Sequence, residues 1–227
     1  MTNTYVIYFS GEEKIARLAA EKYIDEPTLS YAMNTHNEKL RASRLIAYSL
    51  LFYICRERYG LVDFSLYRDE NNKPHILLSD GKKINISLSH DGLAAAVTVT
   101  DKPISVGVDI QREREPLNAR KLTEKYFKNA DILNPTVDLK IHKVMLRDDG
   151  TITPCMSDNN DGNVITPPDS FCARWALYEA AVKCDGRGIG ARDALDVLAD
   201  KYTLAYTSIT VENKLYHLAT ATEKHKS

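Results

Sequence analysis

The 227-residue sequence carries no surplus of either charge: 30 lysines and arginines against 31 aspartates and glutamates leave a formal net charge of −1. That balance argues against a general nucleic-acid binder, which would carry a basic excess. No uninterrupted apolar stretch approaches the ~18 residues of a membrane span, and the N-terminus, MTNTYVIYFSGEEK, lacks a basic start followed by an apolar run. A soluble cytoplasmic protein with no membrane partner is therefore expected. Cysteine is scarce. Cys55, Cys155, Cys172 and Cys184 show neither C-x-x-C spacing nor the density of a disulfide scaffold, so reduced and mostly buried thiols are expected. What is present, 44% hydrophobic and 27% charged residues, is an ordinary globular mixture. The chain is long enough to bury a sizeable core as one large domain or two small ones.

Residues 104–111, ISVGVDIQ, organise the rest. Ile104, Val106, Val108 and Ile110 alternate with Ser105, Gly107, Asp109 and Gln111, the period-2 pattern of a half-buried strand. That pattern aims Asp109 out of the core. Residues 171–183, FCARWALYEAAVK, read as a helix with Phe171, Trp175, Tyr178 and Val182 as its apolar stripe. Glu179 and Lys183, four apart, share a neighbouring face. Asp109 and Glu179 are the type of oxygen-ligand pair that suits magnesium, which is often held by one or two carboxylates plus substrate phosphates.

Taken in order, the chain predicts a strand near 5–9, a short helix broken at Asp25-Glu26-Pro27, and a long helix from the capping-box residues Thr35 and Glu38 to about Arg58, ended by Gly60. Strands follow at 62–66 and 76–78 around a polar turn. A hairpin follows, with arms at 84–88 and 93–99 joined through Ser89-His90-Asp91-Gly92. Residues 111–128 are rich in both signs of charge, with Asn118 as a helix N-cap. The stretch 130–168 is the least orderly, with a hairpin about Asp148-Asp149-Gly150. Asp169 or Ser170 caps the Trp175 helix, and a last hairpin turns at Glu212-Asn213. A long helix followed by a hairpin thus occurs twice, at 36–101 and 171–222.

Four short motifs resemble the 4′-phosphopantetheinyl transferases of the single-chain, surfactin-synthetase-activator type. They are Gly107-Val108-Asp109-Ile110-Gln111, Trp175 to Lys183 with Glu179 inside it, the Ser89-His90 pair, and the turn Asn72-Lys73-Pro74. They stand in the family's order and spread from about residue 72 to 190. The resemblance implies an α+β fold of two pseudo-twofold-related subdomains, each a small antiparallel sheet packed on a long helix. These are expected at 1–103 and 104–227, with an insertion at 130–168 and the active site in the cleft between them. It implies a monomer that uses magnesium or manganese, takes coenzyme A as co-substrate and has an acyl or peptidyl carrier protein as partner.

It also implies roles. Asp109 and Glu179 would hold the metal, with Gln111 contributing directly or through a water. Glu179, Lys183 and Asp109 would be catalytic, Lys183 supplying charge at a phosphate. Lys73, Ser89, His90 and Lys183 would bind coenzyme A, with Arg41 and Arg44 on the long helix reaching the same nucleotide. Arg112, Arg114, Arg120, Lys121, Lys125 and Lys128 would form a docking edge for an acidic carrier. Two positions depart from the family pattern: Gln111 replaces an acid, and Tyr178 replaces a lysine next to the catalytic glutamate. They motivate one alternative, a non-catalytic relative that binds coenzyme A or a carrier protein. A divalent-metal phosphohydrolase using Asp109 and Glu179 is another. The ordinary reading of Glu179 with Lys183 is a surface pair worth ~0.2–0.5 kcal/mol.

Overall fold

The computed structural model describes residues 2–127, 139, 141–155, 170–187, 198 and 200–224. Strand β1 (Thr2–Tyr8) is followed by helices α1 (Glu13–Tyr23), α2 (Glu26–Met33) and α3 (Glu38–Tyr53), the last extended by one π-type turn, Ile54–Arg58. Four strands come next: β2 (Phe64–Arg68), β3 (Pro74–Leu78), β4 (Lys83–Asp91) and β5 (Ala94–Thr100). The second half contributes β6 (Val106–Arg112), α4 (Ala119–Tyr126), β7 (Ile141–Leu146), β8 (Ile152–Pro154), α5 (Phe171–Asp185), β9 (Tyr202–Val211) and β10 (Lys214–Glu223). The protein is of the α+β class.

These elements form four layers. A seven-stranded sheet, ordered β2-β3-β4-β5-β1-β7-β8, buries Ile7, Ile86, Val97 and Val99 against Leu45, Leu50 and Ile54 of the α3 segment. Its other face, through Val6, Ala94 and Ala96, meets Val108, Ile110 and Leu218 of a three-stranded sheet ordered β6-β10-β9. The far face of that small sheet packs Ala219, Ala221, Leu204 and Tyr206 on α5 through Ala173, Leu177 and Ala180. The first sheet is larger than expected and not purely antiparallel. The β7–β8 hairpin, predicted about Asp148-Asp149-Gly150, pairs in parallel with β1 and so joins the N-terminal sheet. A division at 103/104 therefore does not separate the sheets cleanly, because the C-terminal half returns two strands to the first one. The remainder of 130–168 lies outside the described residues.

Three local readings change. The break at Asp25-Glu26-Pro27 is the start of α2: the Asp25 carboxylate accepts from the Thr28 N–H, and Pro27 sits in the first turn, where its missing N–H costs nothing. The long helix is capped by Asn37, whose side chain accepts from the Leu40 N–H, rather than by Thr35. Asp109 is not aimed out of the core but is 1% exposed, because α5 covers the face of β6 that its alternation assigns to polar residues. Gly107 shows how close that cover is: a Cβ there would collide with the Ala180 carbonyl and stand 2.6 Å from the Cys184 nitrogen. Only glycine permits the approach that sets Asp109 beside α5. The cysteines are free, with Cys55, Cys172 and Cys184 buried as expected. No helix among the described residues is long and apolar enough to cross a membrane.

Candidate functional site

Strand β4 positions the site by an unusual seam. Its side chains at every second position bond the exposed edge of β6: Asn85 donates to the Ile104 carbonyl, while Ser87, Ser89 and Asp91 accept from the N–H groups of Val108, Ile110 and Arg112 at 3.0, 3.4 and 2.8 Å. Side chains stand in for the missing neighbour strand, so the β6 edge donors are satisfied where the sheets meet. The alternation that points this row at β6 points Leu88 and His90 the other way, toward α3. There Ser43 lies 3.1 Å from His90 Nδ1.

Asp109, on the α5 face of β6, is held from three sides. Its Oδ1 accepts from Ser89 Oγ at 2.6 Å and from Lys183 Nζ at 2.5 Å, and its Oδ2 from Gln111 Nε2 at 2.8 Å. Glu179 stands on α5 one turn before Lys183. Its Oε1 accepts from the Trp175 indole N–H at 2.9 Å, and its Oε2 is 3.8 Å from Lys183 Nζ. Burial, and then the neighbouring Asp109 charge, push the Glu179 carboxyl up to about 7. The two acids, 70 residues apart in sequence, meet at one ammonium.

Glu179 and Lys183 form one wall of a cavity of about 350 Å³ at the junction of α3, β4 and α5. Three cations of the first half of the chain, Arg44, Arg68 and Lys73, line the same cavity, with His90 among them. Lys73 Nζ donates to the Cys184 carbonyl at the C-terminal end of α5, and burial lowers its pKa. His90 is pushed down to about 4, first by burial and then by Lys183 and Arg44, so its ring is neutral at physiological pH. The Arg68 guanidinium lies 4.5 Å over the Tyr31 ring and bonds Tyr48 Oη, and Arg44 approaches the same ring at 5.7 Å. Such a lining is complementary to a polyanion.

The structure thus brings together Lys73, His90, Arg44, Glu179 and Lys183 around the cavity, with Asp109 directly behind the last two. Three other expectations change. Arg41 faces away: it grips Glu13 of α1 through two nitrogens, at 2.7 and 2.9 Å, and donates a third bond to the Thr35 carbonyl. The Ser89 hydroxyl is spent on Asp109 and the β6 edge. Gln111 turns its amide nitrogen, not its oxygen, to Asp109. Tyr178 is fully buried among Tyr126, Phe127 and Trp175, so its replacement of a lysine leaves the cavity wall untouched. Of the basic run after β6, Arg112 and Arg114 line a second groove with Lys39 and Lys214, whereas Arg120 pairs with Glu124 and Lys125 lies over Tyr126. Lys128 lies outside the described residues.

Arg68, Tyr31 and Tyr48 were not legible as site residues. Arg68 precedes a polar turn, and Tyr31 lies on the helix hidden behind the apparent break at Pro27. Trp175 has a signal of the right kind: an indole donor four residues before a glutamate on one helix face.

Two carboxylates on different elements, facing one ammonium beside a cationic cavity, form a donor set that a hard divalent cation fits. No group of three or more His, Cys, Asp or Glu side chains among the described residues forms an all-protein metal cage. A cation here would therefore depend on ligand oxygens to complete its shell. Comparison with known protein families finds none that matches this chain, and comparison with curated proteins finds no matching relative.

Proposed function

We propose that the protein transfers the 4′-phosphopantetheine group of coenzyme A to a serine of an acyl or peptidyl carrier protein, releasing adenosine 3′,5′-bisphosphate, and that its two halves form the phosphopantetheinyl transferase fold. One observation carries the reading: the cavity brings Arg44, Arg68, Lys73 and His90 from the first half together with Glu179 and Lys183 from the second, with Asp109 behind them. A nucleotide ester with a pyrophosphate and a further phosphate needs this combination, several cations and a carboxylate pair at one cavity.

In this reading Arg44, Arg68 and Lys73 bind the terminal phosphate, and neutral His90 contributes a ring hydrogen bond. Lys183 pairs with a pyrophosphate oxygen. Magnesium or manganese, when held by Asp109 and Glu179, supplies charge neutralisation at that pyrophosphate. The carrier serine oxygen forms a new bond to the phosphorus bearing the pantetheine arm, the bond from that phosphorus to the bridging oxygen breaks, and the nucleotide bisphosphate leaves. Glu179, whose pKa burial raises, accepts the serine proton. The cationic lining favours this reading over a phosphohydrolase, which needs an activated water but no binding site for a distant phosphate.

The test is intact-protein mass spectrometry of an apo carrier protein incubated with coenzyme A and magnesium. A phosphopantetheine mass gain that disappears with Glu179→Ala and with chelator is the expected result. Absence of gain with several unrelated carriers, under conditions where coenzyme A binds, overturns the transfer reading.

A further inference from the structure

We propose that Lys183 is a built-in counter-ion that occupies the divalent-cation position between Asp109 and Glu179 and yields it only when an anionic ligand enters the cavity. This rests on the functional reading above and adds to it an order of assembly. The Lys183 ammonium lies 2.5 Å from Asp109 Oδ1 and 3.8 Å from Glu179 Oε2, the place where a shared cation would touch both carboxylates. Protein donors also hold the two carboxylates in place: Ser89 Oγ and Gln111 Nε2 on Asp109, and the Trp175 indole on Glu179. A cation arriving alone meets an ammonium already held by both carboxylates.

Lys183 is also free to leave. Its side chain is 31% exposed and lines the cavity, whereas Asp109 is 1% exposed and fixed in the sheet. A pyrophosphate in the cavity offers the flexible ammonium a second anionic partner within its own reach. The two carboxylates are then uncovered at the moment the ligand's oxygens can complete a metal shell. Cation and anionic ligand should therefore bind with positive coupling, and by linkage each tightens the other equally.

The experiment is a manganese titration followed by the electron paramagnetic resonance signal of the free ion. It compares wild type, Lys183→Met and Lys183→Arg, each with and without saturating coenzyme A. Without coenzyme A, Lys183→Met should bind manganese about tenfold more tightly than wild type, since a unit charge at contact distance has been removed. Lys183→Arg, which keeps the charge, should bind as weakly as wild type. Coenzyme A should tighten manganese in every form, because its oxygens join the metal shell, but about fivefold more in wild type than in Lys183→Met, within the usual range of coupling energies. Equal or weaker manganese binding by Lys183→Met overturns the proposal, as does the absence of saturable binding in every form. Should Lys183→Met not fold, Lys183→Gln, which also removes the charge, takes its place in the same comparison. The carrier assay above reads transfer separately, so coupling that shrinks in Lys183→Met, without transfer, would sink the reaction and keep the counter-ion.

Discussion

Helix α5 presents two buried polar clusters to the same sheet, and they are built on opposite principles. Toward its middle, Asp109, Glu179 and Lys183 put two acids on one ammonium beside an open cavity. At its start, Ser170 caps the helix and also donates to Glu113 at 2.5 Å; Glu113 bonds His217 Nε2, and His217 Nδ1 lies 2.6 Å from Tyr206 Oη. In this second cluster a single carboxylate serves two neutral donors and the imidazole is 4% exposed. Its donors and acceptors are matched, and it fastens the helix N-terminus to β9, β10 and the chain leaving β6. The first cluster is unmatched in charge, costs stability, and faces the space where a ligand would balance it. Matched buried polar groups hold a fold together, whereas unbalanced ones mark where it acts.

The sharpest break of this contrast is Glu113→Ala. It leaves the Ser170 hydroxyl and the buried His217 N–H without their shared acceptor, at a cost of about 2 to 3 kcal/mol. Chemical denaturation should show that loss, while the fraction of carrier modified by the folded variant stays at the wild-type level. A variant of unchanged stability would show that the cluster does not fasten α5.

How much of this was legible in the sequence follows from where each signal lives. The β6 alternation and the α5 stripe are local, and both elements lie where the pattern puts them. The burial of Asp109 is not local: period 2 assigns it a polar face, and only α5, closing over Gly107 from some 70 residues away in sequence, turns that face inward. The row Asn85, Ser87, Ser89 and Asp91 is plain in the sequence as an alternation, yet nothing in one strand announces that its polar side will bond another strand's backbone. Arg41 and Arg44 are both cations on one helix; Glu13 on α1 claims the first, and the second reaches the cavity. The Glu113 cluster draws on four separate segments and was missed entirely.

A second change acts on the unmatched cluster. The folded pKa of Glu179 is raised above its unfolded value, so the stability it contributes is complete below about pH 4.5 and is lost as pH rises through about 7. Glu179→Gln keeps the oxygen that accepts from Trp175 and removes the titration. Without metal, it should match wild type near pH 4 and exceed it by about 3 kcal/mol at pH 8, a gain that thermal melts across that range would reveal. His90 runs the other way. Burial depresses its pKa to about 4, so its contribution is complete above about pH 6.5 and fades as pH falls through 4. That slope is common to both proteins and cancels in their difference. A pH-independent difference would mean that Glu179 does not carry the charge imbalance.

The smallest change tests whether the unmatched cluster is nonetheless positioned. Trp175 belongs to the aromatic core with Phe127, Phe171 and Tyr178, and its indole N–H reaches Glu179 Oε1. Trp175→Phe retains most of the packing and deletes that donor. A hydrogen bond to a carboxylate favours its charged form, so the Glu179 pKa should rise further, at a cost of about 1 kcal/mol. If Glu179 accepts the serine proton in its ionised form, the acidic limb of the pH–rate profile should move to higher pH, while the rate on the alkaline plateau falls only severalfold. A uniform loss at every pH would make Trp175 a packing residue alone. A shift of the limb would show that the helix carries its own device for holding one of the two acids ionised, a device the matched cluster at its N-terminus does not need.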